Sequence, residues 1–223
     1  MSWINEIGNH FSKKYSQYGE EGYLRFIFKN IGTTNKFLVD IGANNGTYLS
    51  NTKQFRNEGW QGILIDGQSF PGVYRHYVSA ENINGLLRKY GCPKEPDLLS
   101  IDIDGQDYWV LRVILSEYKP RVIISEYNAE FDDSRAIEYN PNFQFRATDY
   151  YGYTFKAGLK LAKEFGYRVI FQNTNINMYY LRNDLLEDPE MQINIPHPLT
   201  EWWRLNVGKY QGKNDDRLKW VMI

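Results

Sequence analysis

Carboxylates recur in this chain at one kind of position, the end of a short apolar run. Asp40 ends "FLVD" and Asp66 ends "GILID"; Asp102 and Asp104 follow "DLLSI", and Glu126 ends "RVIISE". A carboxylate can accept hydrogen bonds from hydroxyls, pair with a cation, or take up a proton. Alone, any of these acids reads as a helix cap or a solvated charge. In a doubly wound sheet, however, the carboxyl ends of the strands share one edge, and ligands bind there.

Glycines mark the same edge. Asp40 leads into Gly42, Ala43, Asn44 and Gly46, and Asp66 is followed by Gly67. Without a Cβ, Gly42 and Gly46 allow a sharp turn and a close approach of ligand to main chain. The spacing from Asp40 to Asp66 fits a glycine loop followed by a second-strand acid that accepts both hydroxyls of a ribose. The loop is neither GxxxxGK[ST] nor GxGxxG. An acid in front of it would repel a pyrophosphate but suit a cationic amine. That favours S-adenosylmethionine over a dinucleotide.

Strands alternating with helices must position these residues. "GEEGYLRFIFKNIG" places Leu24, Ile27, Phe28 and Ile31 on one helical stripe. "KFLVDIG" and "QGILIDG" read as strands, "RHYVSA" (75–80) as a weaker third, "DLLSIDIDG" as the fourth and "PRVIISEYN" as the fifth. "TYLSNTKQF" reads as a helix whose first turn aims N–H groups at the glycine loop. Further helices are expected over 81–91, in "QDYWVLRVILSEY", and over 154–166 with Leu159 and Ala162 on its apolar side. Residues 129–153 read as irregular, and "YRVIFQ", "NTN", "INMYYLR" as an antiparallel hairpin. The expected fold is an α/β Rossmann-like sandwich with a mostly parallel sheet and a C-terminal antiparallel hairpin. Residues 1–183 form the domain, and 184–223, carrying Trp202, Trp203 and Trp220, an extension packed on it.

Composition narrows the function. A net charge of −1 and a pI near 6.3 argue against a broad nucleic-acid surface. No stretch approaches the roughly 18 apolar residues of a membrane span, and the start lacks the pattern of a secretory signal. The single cysteine, Cys92, excludes an internal disulfide and a cysteine-based zinc cluster. These features lead to the expectation of a cytoplasmic protein. His10, His76 and His197 have no companions that suggest metal or catalysis.

"VDIGANNGTYLSNT", "GWQGILIDG", "LLSIDIDGQDYWV" and "RVIISEYNAEF" together resemble the FkbM-like S-adenosylmethionine-dependent methyltransferases. The likeness covers about residues 15 to 182 and includes the lead-in "YSQYGEEGYLRFIFKNIG". It implies a class I methyltransferase fold, a seven-stranded sheet whose last strand is antiparallel. By the resemblance, Asp40, Gly42, Ala43, Asn44 and Gly46 hold the methionine end of the cofactor and Asp66 holds the ribose. Ser79 to Glu81 would lie near the adenine. Gly67, Asp102 and Gln17 complete the expected cofactor set. The chain departs from many relatives in having Asp104-Gly105 where they carry Glu-Gly.

The resemblance implies methyl transfer to a hydroxyl, often of a sugar or secondary metabolite. A base must then take the hydroxyl proton, with Asp104 the first candidate and Glu126 the second. Tyr127, Asn128, Asp149 and Tyr150 are candidate acceptor contacts. Asp104, Glu126 and Asn128 also make a possible set of oxygen ligands for Mg²⁺. Three readings stand: an O-methyltransferase acting on a carbohydrate or polyol, a metal-dependent enzyme acting on another small hydroxyl substrate, and a non-catalytic binding module in a glycan-assembly complex.

Overall fold

The computed structural model describes residues 3–146, 148–173, 176–188, 193, 195 and 219–223. A 3₁₀ turn (Trp3–Asn9) precedes α1 (Glu20–Ile31), β1 (Phe37–Ile41), α2 (Lys53–Asn57), β2 (Gln61–Asp66) and β3 (Tyr74–Arg75). Next come α3 (Ile83–Lys89), β4 (Leu98–Ile101), α4 (Asp107–Glu117) and β5 (Val122–Glu126). The remainder comprises β6 (Arg135–Ile137), α5 (Phe155–Phe165), β7 (Tyr167–Asn173), β8 (Asn177–Arg182) and β9 (Trp220–Met222).

Seven strands form one sheet in the order β3-β2-β1-β4-β5-β8-β7. β1 to β5 pair in parallel, and β8 runs antiparallel between β5 and β7. The chain moves outward from β1 to β3 and then returns to place β4 on the other side of β1. The crevice beyond β1 and β4 is therefore the switch point where such sheets bind ligands.

Alternation along the strands divides the core between the two faces. Val39, Ile41, Ile63, Leu99 and Ile123 pack with residues of α3, α4 and α5. Leu38, Leu64, Leu98, Val122 and Ile124 pack with α1, Phe55 and Trp60 on the other face. At the amino ends of the strands, fully buried Asp97 accepts from the N–H groups of Thr34, Asn35 and Lys36 and pairs with Arg121 at 2.9 Å. Arg121 also donates to the carbonyls of Ile31 and Gly32. This network fixes the entries to β1, β4 and β5, so their carboxyl ends are held in register.

Several elements differ from the sequence reading. Residues 47–52 are not helical. Asn45 Oδ1 accepts from the N–H of Thr47 and of Tyr48, and Leu49 has φ 54°, so side-chain bonding displaces the helical pattern until Lys53. No helix terminus therefore points into the glycine loop from that segment. The third strand is only Tyr74–Arg75, because Asn82 captures the backbone of Tyr77 and Ser79 with its side chain. On α5 the buried residues are Phe155, Ala157, Gly158, Leu161 and Ala162, whereas Leu159 is 38 % exposed. The segment expected to be irregular contains β6, which pairs antiparallel with β9.

Through β9 and Leu186, which is buried in the core, the described parts of the C-terminal extension pack on the same unit. Trp202, Trp203 and His197 lie outside the described residues, as does most of the expected "NTN" turn. No helix among the described residues is long and apolar enough to cross a membrane.

Candidate functional site

A cavity of about 710 Å³ opens at the carboxyl ends of β1, β2, β4 and β5. Gln17, Asp40, Gly42, Ala43, Asn44, Asp66, Gly67, Ser79, Asp102, Asp104 and Glu126 all line it. The structure thus brings together most of the residues singled out in the sequence.

Main-chain bonds shape the floor. The N–H groups of Gly42 and Ala43 both donate to the carbonyl of Ile65 (3.0 and 3.1 Å), which ties the glycine loop to β2. Gly42 has φ 81°, and a Cβ there would sit 2.7 Å from the carbonyl carbon of Asp102 and closer to its oxygen. Gly46 does not line the cavity. Its carbonyl accepts from Arg56, and a Cβ would meet Leu64 at 2.8 Å, so it supports the loop from behind.

Asp66 accepts from Asn44 N and Gln68 N, each at 2.8 Å. A carboxylate has about four acceptor positions, so two remain for hydroxyls in the cavity. Asp40 is buried and accepts from Thr52 Oγ1 at 2.6 Å. Burial raises its pKa, partly offset by the Thr52 hydroxyl and the charge of Arg56.

The carboxyls of Asp102, Asp104 and Glu126 offer oxygens that all lie within 4.8 Å of one another. Asp102 and Glu126 are close enough to share a proton. Burial, then the neighbouring carboxylates, hold both groups protonated well above the ordinary carboxylate range. Glu126 Oε2 is buried and receives no hydrogen bond from any donor among the described residues. Asp104 is exposed to the cavity and sits at φ 53°. Its pKa is also raised, by burial of the carboxyl. Asp107 sets this loop by accepting from Ile103 N and Gly105 N, both at 2.9 Å. The cluster can receive a cation or hold and release a proton.

Gln17 reaches the cavity because two buried acids order its segment. Glu21 accepts from the N–H groups of Lys14, Tyr15 and Ser16 and from the Ser16 hydroxyl. Glu20 accepts from Tyr18 N and from the amides of Asn173 and Asn177. Ser16 forms a bridge to Leu49, which connects this segment to the cavity wall.

The four expected acceptor contacts lie elsewhere. Tyr127 is fully buried, donates to Gln172 Oε1 at 3.1 Å and packs on Phe155. Asn128 is also fully buried. Its amide donates to the carbonyls of Asp149 and Tyr151 and accepts from Glu130 N, which leaves it unsuited to acceptor or metal. Asp102 replaces Asn128 as the third oxygen donor of the cluster. Asp149 does not line the cavity. Tyr150 is buried against Phe143 and Trp220 and donates to the carbonyl of Lys219.

The sequence reading missed one part of the cavity wall. Asn140, Pro141, Phe143, Gln144 and Phe145 line the cavity, with Asn140 N bonded to Gln106 Oε1 at 3.1 Å. The Phe143 ring lies over Gly105, where a side chain would have no room. Tyr48 and Tyr77 also line the cavity. A proline and two phenylalanines within a polar stretch were the available signal. His76 lines the cavity but is engaged with the Tyr90 hydroxyl at 2.7 Å, and His10 stacks on Phe26. Burial pushes the Cys92 thiol up to about 12, in keeping with a passive residue. Comparison with protein-family models and with curated proteins finds no match to this chain.

Proposed function

We propose that this chain is an S-adenosylmethionine-dependent O-methyltransferase acting on a hydroxyl of a carbohydrate or similar polyol. The observation that carries the reading is the cavity at the switch point, lined with acids and closed on one side by a glycine loop. The seven-stranded sheet, whose last strand in sequence is antiparallel, is what a class I methyltransferase calls for.

The residues present fit the cofactor. Asp66 keeps acceptor positions for a ribose diol after taking two main-chain bonds. Glu126 Oε2, buried without a donor, and its acidic neighbours suit a cationic group. Gln17, Asp40, Gly42, Ala43 and Asn44 would hold the amino-acid end, and Ser79, which also lines the cavity, would lie near the adenine. When bound, the cofactor supplies an electrophilic methyl group on a sulfonium centre.

The chain's own part is positioning and proton removal. Asp104 faces the cavity on a loop fixed by Asp107, and burial of its carboxyl raises its pKa, which strengthens it as a base. Glu126 is the alternative base, acting once its proton has been lost. The same three carboxyls could instead hold Mg²⁺, so the test includes a chelator.

Transfer of labelled methyl from the cofactor to a panel of glycans tests the proposal. Asp104→Asn should lower turnover about 10²–10⁴-fold with cofactor affinity little changed. Full turnover by that variant removes Asp104 from the role, and loss of parent activity in chelator favours the metal. No transfer to any hydroxyl acceptor contradicts the proposal.

A further inference from the structure

Among the described residues, five of the side chains that line the cavity are carboxylic acids and none is lysine or arginine. His76 is tied to Tyr90, and Arg56, which partly offsets Asp40, is turned onto the Gly46 carbonyl and does not line the cavity. Beyond the end of the cavity assigned to the cofactor, no lysine or arginine among the described residues lines it to receive an acceptor's phosphate or carboxylate. An anion entering here would lose its hydration with no lysine or arginine on the cavity lining to replace it.

The mouth of the cavity is aromatic. Tyr48, Leu49, Tyr77 and Phe145 are exposed by 62, 42, 80 and 40 %, and all four line the cavity. These are half of the large exposed apolar side chains among the described residues, gathered at one opening. The amides of Asn140 and Gln144 line the same cavity, while that of Gln106 is engaged by Asn140 N and the Glu138 carbonyl. Aromatic faces suit the C–H faces of a sugar ring, while amides and carboxylates suit its hydroxyls.

We infer that the acceptor enters as an uncharged or amine-bearing sugar ring, stacked on the rim around Tyr48 and Phe145, and that sugars bearing phosphate or carboxylate are rejected. The inference rests on the proposed assignment of the cavity to a methyl acceptor and narrows its substrate class. Phosphorylated and nucleotide-linked sugars are excluded as acceptors unless their anionic group stays outside the cavity.

The test is ligand-observed NMR on the full chain at low ionic strength, using methyl glucoside, glucosamine, glucose 6-phosphate and glucuronate as probes. Glucosamine and methyl glucoside should bind at least about tenfold more tightly than the two anions. Asp104→Lys should narrow that ratio. Phe145→Ala should weaken methyl glucoside without lowering the melting temperature. Anions that bind as well as the neutral probe, or no binding by either favoured probe, would overturn the inference. Calorimetry with S-adenosylmethionine runs alongside. Failure of the cofactor to bind while the sugar order holds removes the methyltransferase reading alone. Cofactor binding with no discrimination against anions removes only the inference.

Discussion

Replacing Gly42 by alanine should damage both stability and the cavity, and the size of the effect follows from two separate terms. The first is conformational: φ is 81°, and an L-residue in the left-handed region costs about 1–2 kcal/mol. The second is spatial. The new Cβ would lie 2.7 Å from the Asp102 carbonyl carbon and nearer still to its oxygen, so backbone must move. That movement strains the bonds Gly42 N to Ile65 O and Asp102 N to Ile41 O, each 3.0 Å and each contributing about 0.5–1.5 kcal/mol. The combined loss is about 2–5 kcal/mol, or about 4–20 °C in melting temperature for a chain of this size. Gly59→Ala separates the terms, because Gly59 has φ 87° but no described atom within 4 Å of where a Cβ would sit. It should show only the conformational cost, a few degrees. Thermal unfolding of the two variants is the assay. Equal losses would refute the close approach between the glycine loop and β4, and with it the geometry of the cavity floor.

Three further outcomes are expected. Asp97→Ala strands the buried Arg121 and removes the acceptor for three backbone N–H groups, so denaturant unfolding should reveal a loss of about 3–5 kcal/mol; a loss below about 1 kcal/mol would contradict the network. Asp107, raised to about 6 chiefly by burial, binds its proton more tightly folded than unfolded, so its stabilisation is present below the unfolded value and is lost as pH rises through about 6. Asp40, Asp102 and Glu126 act in the same direction, so the melting temperature should fall between about pH 5 and 8, and a rise over that range would count against the buried acids. Phe143→Ala should open the wall over Gly105 and weaken acceptor binding about tenfold, with the cofactor's dissociation constant unchanged by calorimetry; equal acceptor affinity would remove that wall from the site.

The parallel core was legible because β1, β2, β4 and β5 are short branched runs buried on both faces, each ending near an acid. The same pattern located Asp40, Asp66, Asp102, Asp104 and Glu126 around one cavity. Where side chains bond to nearby backbone, local pattern misled. Asn45 and Asn82 each redirect a segment, delaying the expected helix until Lys53 and cutting the expected 75–80 strand short at Arg75. The pairing of β6 with β9 joins residues too far apart in sequence for any window to detect. Proximity to Glu126 in the sequence points Tyr127 and Asn128 toward the acceptor. In the fold they turn into buried hydrogen bonds with Gln172 and with the Asp149–Tyr151 backbone. The wall from Asn140 to Phe145 escaped notice because its position depends on Gln106 and Gly105, not on any periodicity of its own.

Calorimetric titration of S-adenosylmethionine into the parent chain and into Asp66→Ala tests the central claim most directly. The account predicts saturable one-to-one binding by the parent. It also predicts at least a tenfold weaker dissociation constant for the variant, since two hydrogen bonds to a ribose diol at about 1–3 kcal/mol each would be lost. No binding by the parent, or equal affinity in the two proteins, would contradict it.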